Sequence, residues 1–251
     1  MSIFGKSSGY RWMDVYILAN IVELGTDRFC DDFLNFKNDP GGRTFSQMNH
    51  AARSGCRNLA EGSERLTTSS ASGIDLINVA LASLCELRDD YNKWLMKHGE
   101  APWAMADEEA QKILATRLDP AEYGEDVNRG CCLHILKQLA KFETWLKHES
   151  SLVRANALLL LITRTLTMMH GYKNRLAEEF AEHGGFKERM SEVRSEARVK
   201  AVTGGVEGEE PKCPVCGGAM RLRKTKADNR PFWGCGDYPM CKGVVECRKK
   251  S

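Results

Sequence analysis

SGIDLINVALASLCELRDDYNKWLMK, residues 72–97, carries Ile74, Ile77, Leu81, Leu84, Leu87, Tyr91 and Leu95 at spacings of three and four. That period lays the apolar side chains along one face of a helix, and nothing in the stretch alternates as a strand would. A Ser72-x-x-Asp75 pair reads as its capping signal and His98-Gly99 as its stop. The same period recurs over 13–37, 44–61, 127–147 and 151–180, with a shorter helical piece near 107–117. Thr44-x-x-Gln47 opens the second of these helices. Asp39-Pro-Gly-Gly is expected to end the first, Gly62 the second and His183-Gly-Gly185 the last. Residues 1–185 are therefore expected to form an all-α domain.

The last helix carries more apolar surface than one core face needs. Leu152, Ala155, Leu159, Ile162, Leu166, Met169, Leu176 and Phe180 make one seam, and Leu158, Leu161, Met168 and Tyr172 a second beside it. A surface helix of a bundle needs a single stripe. The surplus implies cover by the helices of 107–147 or by another subunit, and the periodicity does not choose between them. Beyond the last helix, the run 187–200 alternates in sign as a solvated helix face does, and the Gly- and Glu-rich stretch 202–211 reads as a flexible acidic tether, so 186–210 joins two domains.

The second domain, 211–251, is built on cysteines. Cys213-Pro-Val-Cys216 is followed, after eighteen residues, by Cys235 and then Cys241. A Cys-x-x-Cys knuckle aims two sulfurs at one metal and a second pair closes a tetrahedron, so the four are assigned as ligands of one structural Zn²⁺. A redox Cys-x-x-Cys would need a thioredoxin-like βαβ setting, which the surrounding sequence lacks. Cys30, Cys56, Cys85, Cys131 and Cys132 fall within helical patterns as small hydrophobes, and Cys247 is a spare beyond the fourth ligand.

Charge separates the two parts. From 212 to 251 there are ten Lys or Arg against three Asp or Glu, a net of +7, which leaves −5 for residues 1–211 of a chain whose total is +2. Arg221, Arg223, Lys224, Lys226 and Arg230 are candidate phosphate contacts, and Phe232, Trp233 and Tyr238 offer flat faces for unpaired bases. In so small a domain an aromatic can instead roof the metal site. That alternative is open for Phe232, while Trp233 is expected on the surface.

Cys213-Pro-Val-Cys216-Gly-Gly, then Arg230-Pro-Phe-Trp-Gly-Cys235 and Asp237-Tyr-Pro-Met-Cys241, resembles the C-terminal zinc-finger repeat of bacterial type I topoisomerases over about the last forty residues. The resemblance implies a small zinc ribbon that binds DNA, preferentially single-stranded, without catalysis. A whole topoisomerase would need a far larger body with an active-site tyrosine and an acidic metal-binding region.

A second resemblance covers roughly residues 12–98. Gln47-Met-Asn-His-Ala-Ala-Arg-Ser-Gly-Cys-Arg-Asn58-Leu-Ala-Glu61-Gly62, followed by Ser83-Leu-Cys-Glu86-Leu, is similar to proteins encoded in intervening sequences of bacterial ribosomal RNA genes, whose relatives include accessory proteins of diversity-generating retroelements. The resemblance implies an antiparallel four-helix bundle, completed by 151–180 and interrupted by an insertion over about 100–150. It also implies a homopentameric ring and, in the retroelement branch, a basic surface for nucleic acid and a reverse transcriptase partner. Asn58 and Glu61 share a helix face and are expected to hydrogen-bond the chain where Gly62 breaks it, a structural role.

No catalytic motif stands out. The six histidines form no His-Glu-x-x-His pair, and His50 and His170 read as helix-surface or interhelix residues. Residues 1–10 lack the apolar stretch of a signal peptide, and the run 158–162 is too short to span a bilayer, so a cytoplasmic protein without membrane contact is expected. The resulting expectation is a non-enzymatic accessory protein, a homo-oligomer that presents zinc ribbons to DNA or RNA. A scaffold that recruits a nucleic-acid enzyme is the alternative, and a topoisomerase-like enzyme has the least support.

Overall fold

A computed structural model describes residues 9–183, 211–225 and 231–246, and the chain divides into two compact units, at 1–186 and 187–251. In the first unit every described element is helical. After a 3₁₀ turn at Gly9–Trp12 come α1 (Asp14–Phe33), α2 (Arg43–Arg65), α3 (Ser70–Lys97), α4 (Glu108–Ala115), α5 (Val127–Ala140), α6 (Glu143–Leu146) and α7 (Ser151–His183). The four long helices pack in a closed cycle: α2 lies against α1 and α3, and α7 against α3 and α1.

The core is what the sequence period requires. Ile77, Leu84, Leu87, Tyr91 and Leu95 of α3 are fully buried, and Leu81 nearly so. Phe29 of α1 sits edge-on to Tyr91 and Trp94, with ring centroids 5.1 and 5.3 Å away. The buried Tyr91 hydroxyl donates to Thr26 Oγ1 at 3.1 Å, which satisfies a polar group that would otherwise be stranded among apolar neighbours. Helix α3 stops where the sequence says, because the amide of Gly99 bonds to Met96 and that of Glu100 to Leu95.

Several sequence expectations give way to the tertiary contacts. The α3 cap is Ser69, whose hydroxyl accepts from the Ser72 amide, so the Ser72-x-x-Asp75 pair lies inside the helix. Helix α2 begins after Gly42 with no side-chain cap on that residue. The Asp39 carboxylate instead accepts from the amides of Thr44 and Phe45, which holds its carboxyl below the usual range. Helix α1 ends at Phe33, and 34–42 is a turn region rather than a continuation to 37. The 127–147 stretch breaks into α5 and α6 around Lys141–Phe142.

Gly62 does not break α2, which runs on to Arg65. A Cβ at Gly62 would stand 2.9 Å from the Gly73 carbonyl oxygen and 3.0 Å from Ile77 Cγ1, and a Cβ at Gly73 would stand 2.8 Å from the Gly62 carbonyl. The two glycines let α2 and α3 meet backbone to backbone. With no break there to bridge, Asn58 donates to the carbonyl and hydroxyl of Ser54, both at 3.0 Å, and Glu61 pairs with Arg65 at the surface.

The second seam of α7 is consumed inside the chain. Leu158 and Leu161 are fully buried, Met168 and Tyr172 partly so, and α4 and α6 of the inserted segment pack against α7 together with α1 and α3. Polar side chains fasten the insertion down. Asn156 accepts from the Trp103 amide at 2.7 Å, Arg164 donates to the Thr116 carbonyl at 2.7 Å, and Trp145 donates from α6 to Glu109 of α4 at 2.6 Å. Cys30, Cys56 and Cys131 are buried as expected, Cys85 is intermediate, and Cys132 is exposed rather than packed.

The run 158–162 belongs to a helix that, like α3, is long and apolar enough to cross a membrane by length and composition. Its most apolar window is 61% buried in the protein, as in a core helix, against 33% for that of α3. The Gly184-Gly185 part of the expected stop of the last helix, the run 187–200 and most of the expected tether lie outside the described residues.

The second unit is a three-stranded antiparallel sheet, with β1 (Met220–Lys224) and β3 (Val244–Glu246) flanking β2 (Pro231–Cys235). Its small core is Cys213, Met220, Trp233 and Cys235, with Leu222, Cys241 and Val245 against it.

Candidate metal centre and adjoining cleft

The loop Cys213–Cys216 closes on itself: the Gly217 amide donates to the Cys213 carbonyl at 2.8 Å, and the Cys213 amide to the Gly218 carbonyl at 2.9 Å. This turn brings Cys213 and Cys216 to the end of β2, where Cys235 ends the strand and the turn 236–240 returns Cys241. The four sulfurs lie within 4.8 Å of one another, Cys213 Sγ at 3.6 Å from Cys241 Sγ and Cys216 Sγ at 3.4 Å from Cys235 Sγ. A tetrahedron of thiolates about 2.3 Å from one metal has sulfurs about 3.8 Å apart, whereas a disulfide needs about 2.0 Å. The cage is therefore spaced for a metal ion, such as zinc, and all four thiols are free.

Its electrostatics ask for a cation. The amides of Cys216 and Val215 point at the Cys213 sulfur and pull its thiol down to about 6. At Cys235 the Asp237 amide pulls down, but burial and the hydrogen bonds with Cys216, Cys241 and Cys213 outweigh it and push the thiol up to about 12. Cys241 is likewise raised, by burial and its bonds to Cys216 and Cys213, against the lowering effect of the Gly243 amide. One proton leaves such a cluster readily and the next ones resist, because negative charge accumulates among crowded sulfurs. A bound cation reverses that penalty.

Gly243, which the spacing of the cysteines did not single out, belongs to the cage. A Cβ there would stand 2.2 Å from Cys213 Sγ, and its carbonyl accepts from the Cys235 amide at 2.8 Å. Only a residue without a side chain fits against the sulfur.

Strand alternation sorts the remaining candidates. Met220, Leu222 and Lys224 pair with Cys235, Trp233 and Pro231, while Arg221 and Arg223 pair with Gly234 and Phe232. Trp233 thus falls on the metal side and is 8% exposed, so it is a core residue and not a surface one. In a unit this small the largest aromatic supplies most of the apolar interior. The opposite face carries Arg223 and half-buried Phe232. There Arg223, Phe232, Tyr238, Lys242 and Val244 line a cleft of about 490 Å³, with Gly234, Cys235 and Gly243. The Arg223 guanidinium lies 5.4 Å from the centre of the Tyr238 ring, and that ring is 58% exposed. Arg221 is exposed two residues along the same strand, and Lys224 is exposed at the strand's end, outside the cleft lining. Lys226, Arg230 and Cys247 lie outside the described residues.

Lys242 and Val244 were not among the residues singled out from the sequence. The signal for Lys242 was present, since a basic residue directly after a ligating cysteine must lie beside the cage. On the helical unit a second concavity, lined by Ser46, Gln47, His50, Glu86, Asp89, Asp90 and Lys93, opens between α2 and α3. Burial raises the Asp90 carboxyl there, against the effect of Lys93. His50 and His170 are both exposed on their helices. Comparison with protein families, with curated proteins and with solved structures returned no match.

Proposed function

We propose that this chain is a non-enzymatic, single-strand nucleic-acid-binding accessory protein whose C-terminal unit is a zinc ribbon. The observation that carries the reading is the cleft: two cations, Arg223 and Lys242, stand beside two aromatic rings, Phe232 and Tyr238, on the sheet face opposite the metal-side core. Phosphates neutralise lysine and arginine, and unpaired bases stack on aromatic faces, so this combination suits a flexible single strand. The net +7 of residues 212–251 adds attraction over a longer range. Zn²⁺ is the metal that best matches a closed four-thiolate cage with a structural task.

The helical unit, in this reading, is an antiparallel four-helix bundle of the ribosomal-RNA intervening-sequence type, cytoplasmic, and assembled as a homo-oligomer. The cyclic packing of α1, α2, α3 and α7 supports the bundle. A pentamer is favoured by resemblance alone. Several ribbons on one assembly would multiply a modest affinity on a long strand. A second reading, a scaffold that recruits a DNA or RNA enzyme such as a reverse transcriptase, draws on the ribbon's exposed apolar side chains, Val215 at 73% and Met240 at 92%.

Binding of a labelled oligothymidine by the full chain, followed by fluorescence anisotropy across a salt series, separates the readings. Affinity should fall with salt, and Arg223→Gln with Lys242→Gln should lower the slope of log K against log salt by about 1.4, or about 0.7 for each phosphate left without its cation. Elemental analysis should find one zinc per chain, absent from Cys213→Ser with Cys241→Ser. Salt-independent binding, or a slope unchanged in the double variant, refutes the cleft assignment.

A further inference from the structure

We propose that the ribbon cleft seats one unpaired nucleotide and that its occupant seals the metal cage, so that nucleic acid and metal hold each other in place. The proposal rests on the reading of the cleft as the nucleic-acid site. It follows from two residues that serve both structures. Cys235 supplies a sulfur to the cage and lines the cleft. Gly243 lines the cleft, offers its amide to the Cys241 sulfur, takes the Cys235 amide on its carbonyl, and lies too close to Cys213 Sγ for any side chain.

Release of the metal requires the cage to open. Cys213 and Cys235 are buried, Cys241 is partly buried and Cys216 is exposed; in this proposal the opening is the lifting of the segment carrying Cys241, Lys242, Gly243 and Val244 from β2. The cleft is lined from both sides of that pairing, by Phe232 and Gly234 of β2 and by Lys242 and Val244 of the following segment, where Val244 pairs with Gly234. An occupant that stacks on Phe232 or Tyr238 and places its phosphate against Lys242 and Arg223 ties the two segments together. The cleft volume, about 490 Å³, falls in the lower half of the usual range for ligand sites and suits one nucleotide.

Thermodynamic linkage sets the size of the effect. When a ligand binds only the metal-loaded form, apparent metal affinity rises by a factor of one plus the ratio of ligand concentration to Kd, about elevenfold at ten times Kd. Reciprocity makes oligonucleotide binding depend on the metal in turn, so the metal-free chain should not bind oligothymidine.

The test transfers zinc from the full chain to a chromogenic chelator, with and without oligothymidine at ten times the Kd measured by anisotropy. Zinc retention should rise about tenfold with the single strand, and Tyr238→Ala should keep its zinc but lose that protection. Oligothymidine that binds without altering zinc retention overturns the coupling and leaves the binding reading standing. Equal protection by a blunt duplex of the same length overturns the single-nucleotide seat. Oligothymidine that fails to bind overturns both.

Discussion

Two glycines in helices of the first unit allow the contact between α2 and α3 to be weighed separately from helix propensity. Gly62 in α2 faces the Gly73 carbonyl, and Gly171 in α7 has nothing within 4 Å of where a Cβ would sit. Replacement of either by alanine restores about 0.8–1.0 kcal/mol of intrinsic helix propensity. At Gly171 that gain should appear nearly whole. At Gly62 the new methyl would be 2.9 Å from a backbone oxygen and 3.2 Å from the Ile77 amide nitrogen, and neither can rotate away as a side chain would. Overpacking of this kind costs about 1–3 kcal/mol, so Gly62→Ala should range from neutral to about 2 kcal/mol destabilising while Gly171→Ala stabilises. Urea unfolding followed by helical circular dichroism reads both, since every helix among the described residues lies in the first unit. The reasoning fails if Gly62→Ala stabilises as much as Gly171→Ala, the outcome expected of a helical glycine with no close neighbour.

The other predictions concern burial. Trp233→Ala should empty the ribbon core and reduce zinc retention, with oligonucleotide affinity falling in step, whereas Tyr238→Ala should lower affinity by about 1–3 kcal/mol with zinc content unchanged; the ratio of zinc to chain in each variant distinguishes them. Chelation of the full chain should abolish oligonucleotide binding while helical circular dichroism stays essentially unchanged, because the helical unit has its own core. Leu161→Glu should lower the urea midpoint of the helical unit by placing a carboxylate at a fully buried position, and a variant that retains wild-type stability would contradict the packing of α7.

How much was legible depends on the length scale of the cause. The helices were readable because their apolar period is a local property, and the cysteine cage because metal chemistry fixes residue type and spacing together. Failures arose where a distant contact overrode a local signal. Gly62 looks like a terminator until the Gly73 carbonyl is seen beside it. Thr44-x-x-Gln47 resembles a capping box, but Asp39, brought round by the turn, reaches the helix amides first. From the sequence Trp233 is expected outside and Phe232 is open to either face, and only the pairing of Trp233 with Leu222 and of Phe232 with Arg223 shows that Trp233 is the ring that turns inward.

The same logic changes what assembly must use. A second apolar seam on α7 argued for a subunit interface as long as nothing in the chain covered it, yet Leu158 and Leu161 are fully buried by the chain's own helices. The proposed homo-oligomer therefore has to form through another face. Helix α3 has the apolar composition with less of it buried: its most apolar window is 33% buried against 61% for that of α7, and Val79 is 48% exposed on it. An assembly through α3 would leave the insertion around α4 to α6 free, so it is compatible with the cover those helices provide to α7. Charge at Val79, as in Val79→Glu, should then lower the mass of the particle in light scattering while thermal stability of the helices changes little, because the side chain is already half in water. An unchanged oligomer in that variant would exclude Val79 from the interface, and a monomeric wild-type chain at micromolar concentration would remove both the ring and the gain in affinity from several ribbons on one strand.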